Sequence, residues 1–310
     1  MSVVVFGSIN TDLALKVPHL PTPGETVLSE GYDAVAGGKG CNQAVAAAKL
    51  GADVRMIGAV GDDAWAAIPM AAMKAANVDT LDVRVVGAPT GLASVMVAAD
   101  GENAIVVASG ANRQVSAEQL VDLGTDDVLV CQMEVPFGET AAALRKARAA
   151  GARTLLNLAP FGEMPEEARN AVDFWLVNKV EGEALAEQLG DAPTQQGDPV
   201  SLTLRLARRL RAAVIMTLGG EGVVAVAADG AAWRLAAPKV GVVDTTGAGD
   251  AFVGGFAVAL AEGVSMPEAL ELAVAAGASA CTGFGAQAGP KDRDALREIL
   301  EGIAVRSLAS

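Results

Sequence analysis

The stretch Asp244-Thr245-Thr246-Gly247-Ala248-Gly249-Asp250, running into AFVGGFAVAL at 251–260, carries the reading of the whole chain. The apolar run reads as a helix. Two glycines just before it let its first backbone N–H groups converge on an anion, and the helix dipole adds to the attraction. An acid in a first helical turn is ordinary, because carboxylates are favoured there and cap free N–H groups. Here Asp244 before the glycines and Asp250 after them point instead to a catalytic base beside a phosphate. A second glycine-rich segment, Gly37-Gly38-Lys39-Gly40-Cys41-Asn42-Gln43, also opens a helix. As a bare glycine run it reads as a hinge. Asn42 in the first turn adds an amide able to donate to and accept from sugar hydroxyls.

Outward from these segments, strand and helix alternate. Residues 3–6 form a short β-branched run ended by Gly7, with Asn10, Thr11 and Asp12 following where a parallel sheet places ligands. A helix over 42–50 stops at Gly51 and a strand follows over 54–60. The same step recurs at 140–150 then 154–158, at 174–177 then 183–189, and at 202–210 then 214–218. This predicts a mostly parallel sheet covered on both faces. Residues 13–17 and 26–36, around PTPG, and residues 92–99 and 104–109, around Asp100-Gly101, break the pattern. They read as antiparallel strands forming a small inserted β lid. A further hairpin at Asp229-Gly230 is expected at the sheet edge. The one linker-like stretch, DAPTQQGDP at 191–199, is too short to divide two domains. The predicted core is 1–12, 37–90 and 110–310, and the predicted lid is 13–36 with 91–109.

Composition narrows the partners. The 310 residues carry 23 Lys and Arg against 37 Asp and Glu, a net charge of −14 that removes the electrostatic attraction on which nucleic-acid binding depends. The first ten residues lack a basic segment, and the uncharged stretch 272–290 is broken by glycines, so neither a signal peptide nor a membrane span is expected. Cys41, Cys131 and Cys281 are scattered and His19 is the single histidine, a pattern that argues against a disulfide framework or zinc site and suits a reducing cytoplasm. No G-x-x-x-x-G-K-[ST] is present, and the first strand leads into Gly7-Ser8-Ile9-Asn10 rather than a dinucleotide-binding turn.

The ordered set GSINTD (7–12), PTPGET (21–26), GGKGCNQAVAAAKLGA (37–52), GDD (61–63), QMEVP (132–136), NKVE (178–181), TLGGEG (217–222) and DTTGAGDAFVGGF (244–256) resembles the ribokinase-like carbohydrate kinase family from end to end. The resemblance implies a three-layer α/β/α core with a mostly parallel sheet and an inserted β-sheet lid that often forms a dimer contact. It implies transfer of the ATP γ-phosphate to a sugar's primary hydroxyl, with D-ribose first among the sugars. By position, Asn10, Asp12, Gly38 and Asn42 would hold ring hydroxyls, with Lys39, Gly40 and Cys41 between them and Glu134 as a further sugar contact. Asp250 would be the base, and Gly247, Ala248 and Gly249 the anion hole. Thr217, Leu218, Gly219, Gly220, Glu221 and Gly222 would line the nucleotide, with Asn178, Gly249 and Asp250 beside it. Glu181 would organise Mg²⁺ through water; Asn178 and Glu181 are equally spaced as an ordinary cap. Asp244 and the carbonyls of Thr246, Ala280, Gly283 and Gly285 would hold K⁺.

Three positions depart from the family pattern: Gly289 replaces a common serine in the cation shell, Cys41 replaces the alanine of GGKGAN, and Ala36 stands where a larger apolar residue is frequent. Cys41 reads as a small buried filler and His19 as solvated. Rival readings are a kinase acting on deoxyribose, another sugar or a nucleoside, and a binding protein that has lost catalysis. Tyr32 is the only aromatic in the inserted strands, which favours a bare sugar over a nucleoside.

Overall fold

β1 (Val3–Phe6) is buried on both faces, as the middle strand of a parallel sheet must be: Val3 and Val5 join one apolar layer, Val4 and Phe6 the other. The computed structural model describes residues 2–100, 102–191 and 197–308. After β1 come β2 (Asn10–Val17), β3 (Tyr32–Gly37), α1 (Lys39–Lys49), β4 (Val54–Gly61), α2 (Ala67–Ala75), β5 (Val83–Val86), β6 (Gly91–Ala98), β7 (Asn103–Ala108) and β8 (Val128–Cys131). Alternation then continues through α3 (Phe137–Ala150), β9 (Arg153–Asn157), α4 (Glu166–Arg169), β10 (Phe174–Asn178), α5 (Lys179–Gln188), α6 (Pro199–Leu210) and β11 (Ala213–Thr217). The chain ends with the hairpin of β12 (Val223–Val226) and β13 (Ala232–Leu235), then α7 (Ala248–Glu262), α8 (Met266–Ala280), α9 (Arg297–Glu301) and β14 (Val305–Leu308).

Ten strands form one sheet in the order β14-β13-β12-β11-β10-β9-β8-β1-β4-β5. From β11 to β5 every pairing is parallel, and β12, β13 and β14 extend the other edge antiparallel. Helices α1, α7 and α8 cover one face; α3, α5 and α6 cover the other. The expected three-layer core is therefore present. The hairpin at Asp229-Gly230 is not the edge, because β14 pairs outside β13.

A separate sheet, β3-β2-β6-β7, is the inserted lid. Its outer pairs are antiparallel, as expected, but the central β2–β6 pair is parallel, from Asn10 opposite Gly91 to Val17 opposite Ala98. The correction follows from the main sheet: β1 and β5 run in the same direction, so the strands that continue from them leave side by side. The expected lid turn includes Gly101 and the linker-like stretch includes 192–196, which lie outside the described residues. Among the described residues no helix is long and apolar enough to cross a membrane.

Two helix starts lie earlier than predicted. α1 begins at Lys39 because its first N–H donates to the Glu134 carboxylate at 3.0 Å, a cap supplied from 95 residues away. α5 begins at Lys179 behind a capping box: the Asn178 side chain accepts from the Glu181 N–H and the Glu181 carboxylate from the Asn178 N–H, both at 2.8 Å. Gly254 and Gly255 let α7 sit tightly between its neighbours. A Cβ on Gly254 would meet the Ala46 Cβ of α1 at 2.7 Å, and one on Gly255 the Ala276 Cβ of α8 at 3.1 Å. This crossing brings the start of α7 against the start of α1.

Candidate active site

The heads of α1 and α7 meet over the carboxyl ends of the central strands, where open α/β sheets bind ligands. Asp250, in the first turn of α7, makes no capping bond. Its Oδ2 instead accepts from Asn42 Nδ2 at 3.0 Å and its Oδ1 from Gln43 Nε2 at 2.9 Å, both across the interface with α1. The ordinary capping explanation for this acid therefore fails. Burial raises the Asp250 carboxyl above the usual range; the Lys39 charge and the two amide donors oppose the shift, and Glu134 adds to it. A desolvated carboxylate with a raised pKa is suited to taking a proton near neutral pH.

Three cavities lie around this acid. The smallest, 160 Å³, is lined by Lys39, Asn157, Asn178, Glu181, Gly247 and Asp250 among others. It shares Thr217 and Gly249 with a 750 Å³ cavity whose walls include Gly219, Gly220, Gly222, Phe252, Gly277 and Cys281. Leu218 and Glu221 do not line that larger cavity: they close a tight turn, with the Leu218 N–H donating to Gly222 and the Glu221 N–H to Leu218. A third cavity, of 430 Å³, is lined by Asn10, Asn112, Arg113, Glu134 and Phe137 among others.

Gly247 caps α7 at φ 77°, a backbone shape that favours glycine, and leads the chain into the first turn. The Ala248 N–H is already committed, donating to the Thr245 carbonyl at 3.2 Å. Among the described residues the N–H groups of Gly247 and Gly249 have no acceptor, so the predicted anion hole narrows to those two donors. Lys39 supplies a cation on the same small cavity. Its burial acts to lower the ammonium, but the charges of Asp250, Glu134 and Glu181 prevail and hold it above its usual value.

At the third cavity, Asn10 Oδ1 accepts from Asn112 Nδ2 at 2.7 Å, while Asn112 Oδ1 accepts from the Ile9 N–H at 2.8 Å. Asn112 thus fixes the sense of the Asn10 amide, which leaves an N–H end free to donate. Glu134 accepts from the Ser8 hydroxyl at 2.6 Å as well as from Lys39 N–H, so it is neither solvated nor idle. Asp12 Oδ1 is buried with no partner, an acceptor awaiting a hydroxyl. Its carboxyl is pushed up to about 6 by burial first, then by the charges of Glu134 and Asp250.

Gly38 and Gly40 serve by close approach: a Cβ on either would reach Ser8 or Asn10 backbone at 2.7–2.8 Å. Neither lines a described cavity. Nor does Cys41, which is fully buried with its thiol pushed up to about 12 by burial; it is a packing residue, not a wall of the pocket. Sequence reasoning missed Ser8, Gln43, Asn112 and Asn157. Gln43 follows Asn42 directly and could have been found by asking what holds the base; the others have no local signal.

Comparison with known proteins agrees with the fold. The model of the pfkB family of carbohydrate kinases matches residues 1–293. The chain is 35% identical to a ribokinase of Haemophilus influenzae over 305 residues, 97% of this chain and 98% of that one. It is 32% identical to a deoxyribokinase of Salmonella typhi over 307 residues, covering 97% and 99%. The structure of Arabidopsis thaliana ribokinase complexed with ribose and ATP superposes with a TM-score of 0.85 at 30% identity, covering 97% of this chain and 98% of that one. The chain is an ATP-dependent sugar kinase. Its two substrates are small molecules, a sugar and a nucleotide. The chain belongs to the pfkB family of carbohydrate kinases.

Proposed function

We propose that the chain phosphorylates D-ribose at its primary hydroxyl, yielding ribose 5-phosphate and ADP. The observation that carries this reading is the buried Asp250 carboxylate, held on both oxygens by amides and placed on the small cavity that adjoins the 750 Å³ one. Asp250 takes the hydroxyl proton as that oxygen attacks the γ-phosphorus in line. The N–H groups of Gly247 and Gly249, the α7 dipole and Lys39 stabilise the charge on the phosphoryl oxygens. Asn10, Asp12 and Asn42 orient the sugar, with Glu134 alongside. Thr217, Gly219, Gly220 and Gly222 support the nucleotide.

Glu181 is buried, lines the cavity beside Asp250, and has its carboxyl raised chiefly by burial, so it fits a cation held through water. Mg²⁺ there would neutralise phosphate charge. Asp244 suits a K⁺ site. Burial works to raise its carboxyl, but the Thr246 N–H and hydroxyl and the Gly285 N–H prevail and hold it ionised below the usual range. Those bonds tie the 244–247 turn to the segment that carries the Gly283 and Gly285 carbonyls. Exposed Tyr32, Ile105 and Val106 on the lid support pairing of two copies through it, and the three free cysteines suit a reducing cytoplasm.

An ADP-release assay over pentoses, 2-deoxyribose, hexoses and nucleosides tests the assignment. D-ribose should give the highest kcat/KM, with higher rates in K⁺ than in a bulky organic cation. A preference for 2-deoxyribose would assign the chain to the deoxyribokinase side, and preference for a nucleoside would overturn the bare-sugar reading. Asp12 gives a second test. Its pKa is higher in the fold than the ordinary 3.8, so its stabilising contribution is present at low pH and is lost as pH rises toward about 6. Sugar hydroxyls donating to this carboxylate favour its ionised form. The KM for sugar should therefore fall as pH rises to about 6 and then level. Asp12→Asn should flatten that limb and raise KM about tenfold or more; an unchanged pH profile in the variant would remove Asp12 from the sugar site.

A further inference from the structure

Each amide that holds Asp250 is itself held by a second amide. Asn42, whose Nδ2 donates to Asp250 Oδ2, accepts at Oδ1 from Gln287 Nε2 at 3.1 Å. Gln43, whose Nε2 donates to Asp250 Oδ1, accepts at Oε1 from Gln132 Nε2 at 2.7 Å. A carboxylate can only accept, so each inner amide must turn its nitrogen toward Asp250 and its oxygen away. The outward oxygen then needs a donor, and the outer glutamines supply one each. Neither outer glutamine lines any of the three cavities.

Gln287 is the informative member. It lies between α8 and α9, half-buried, on a segment anchored at two points: the Gly285 N–H donates to Asp244 Oδ2 at 2.9 Å, and Lys49 Nζ donates to the Gln287 carbonyl at 2.9 Å. Its Nε2 also approaches Cys41 Sγ at 3.5 Å, so both groups it faces are acceptors. The backbone anchors aim the side chain at the head of α1, 245 residues earlier in the chain.

We propose that Gln287 is a positioning residue for phosphoryl transfer, acting through Asn42: it fixes the sense of the Asn42 amide and so keeps an N–H, not a carbonyl, against the oxygen of Asp250. Without that donor, the Asn42 oxygen is left unpartnered and the side chain is free to swing away from Asp250, which loosens the base against the attacking hydroxyl. The inference rests on Asp250 as the base.

Gln287→Glu and Gln287→Met, measured beside Asp250→Asn in the full chain, test it. Glutamate matches glutamine in shape but presents only acceptors, so it draws the Asn42 N–H toward itself and turns the Asn42 carbonyl toward Asp250. Methionine only withdraws the donor. Gln287→Glu should lower kcat about 30- to 100-fold and Gln287→Met about 3- to 10-fold, with KM for ATP within about twofold of wild type. A merely structural role gives the opposite order, because glutamate is the closer fit. It would also raise KM for ATP, since Cys281 at the start of this segment lines the nucleotide cavity. The inference is overturned if kcat stays within twofold of wild type in both variants, or if Met is as damaging as Glu. Should the Glu variant fail to fold, the Met variant decides by the same twofold limit. Wild-type turnover in Asp250→Asn would remove the base reading and this inference with it. Loss there with normal kcat in both Gln287 variants would overturn the positioning alone.

Discussion

Asp250→Asn is expected to bind sugar and ATP within a few-fold of wild type and to lose turnover by about 10²- to 10⁴-fold, the range over which a positioned general base contributes. The substitution keeps the side chain's shape and removes its capacity to take a proton. Both oxygens of Asp250 receive amide N–H groups, from Asn42 and Gln43, so the new NH₂ must oppose a donor on one side. One of those amides turns over to relieve the conflict, and its outer glutamine, Gln287 or Gln132, must turn with it. The raised carboxyl of the native enzyme adds a second expectation. Because the base must be ionised, kcat should rise with pH along a limb lying above the ordinary carboxylate range, and the limb should vanish in the residual activity of the variant. Steady-state kinetics across pH check both points. A variant with turnover within tenfold of wild type would remove Asp250 from the chemistry.

Gly247→Ala carries the next largest expected effect. The residue sits at φ 77°, where an L side chain costs about 1–2 kcal/mol. Its Cβ would also collide with the Ala286 carbonyl oxygen. Backbone meets backbone there, so no side chain can swing aside. Either the turn 244–247 moves, taking the Gly247 N–H off the phosphoryl oxygens, or the segment around Ala286 moves. The loss of one such donor typically lowers kcat by about 10²- to 10³-fold. KM for the sugar should change little, because Asn10 and Glu134 line a cavity that Gly247 does not. A thermal midpoint measured beside kcat separates the two effects: a drop of a few degrees with kcat near wild type would show that the Gly247 N–H carries no catalytic charge.

The features legible in sequence are those whose signal is local. Asp250 stands beside its own glycines, Asn42 follows its own glycine run, and the alternation from residue 140 onward announces a parallel sheet one step at a time. What escaped depends on partners far along the chain. The start of α1 has no local cap because Glu134 supplies it, and the donors to Asp250 lie 207 and 208 residues upstream. Asn112 acts only by fixing Asn10, 102 residues earlier. The parallel pair in the lid and the edge position of β14 are likewise decided by which strands the main sheet sets side by side, not by the composition of the strands themselves. Ala248, Leu218 and Glu221 differ in another way: local backbone bonds spend the N–H of each on the turn itself.

The placement of β1 between β4 and β8, with the base arriving only at α7, has a consequence for how the molecule is made. As the chain emerges from the ribosome, the first strand can pair with β4 early but waits for its second neighbour until residue 128 has been synthesised. The residues proposed for the sugar, all before residue 135, are synthesised well ahead of those proposed for ATP. At about 5–20 residues per second, roughly 10–50 s separate the start of translation from the appearance of Asp250. The residues proposed for the two halves of the reaction are thus synthesised in sequence, those for the sugar first and the proposed base after them.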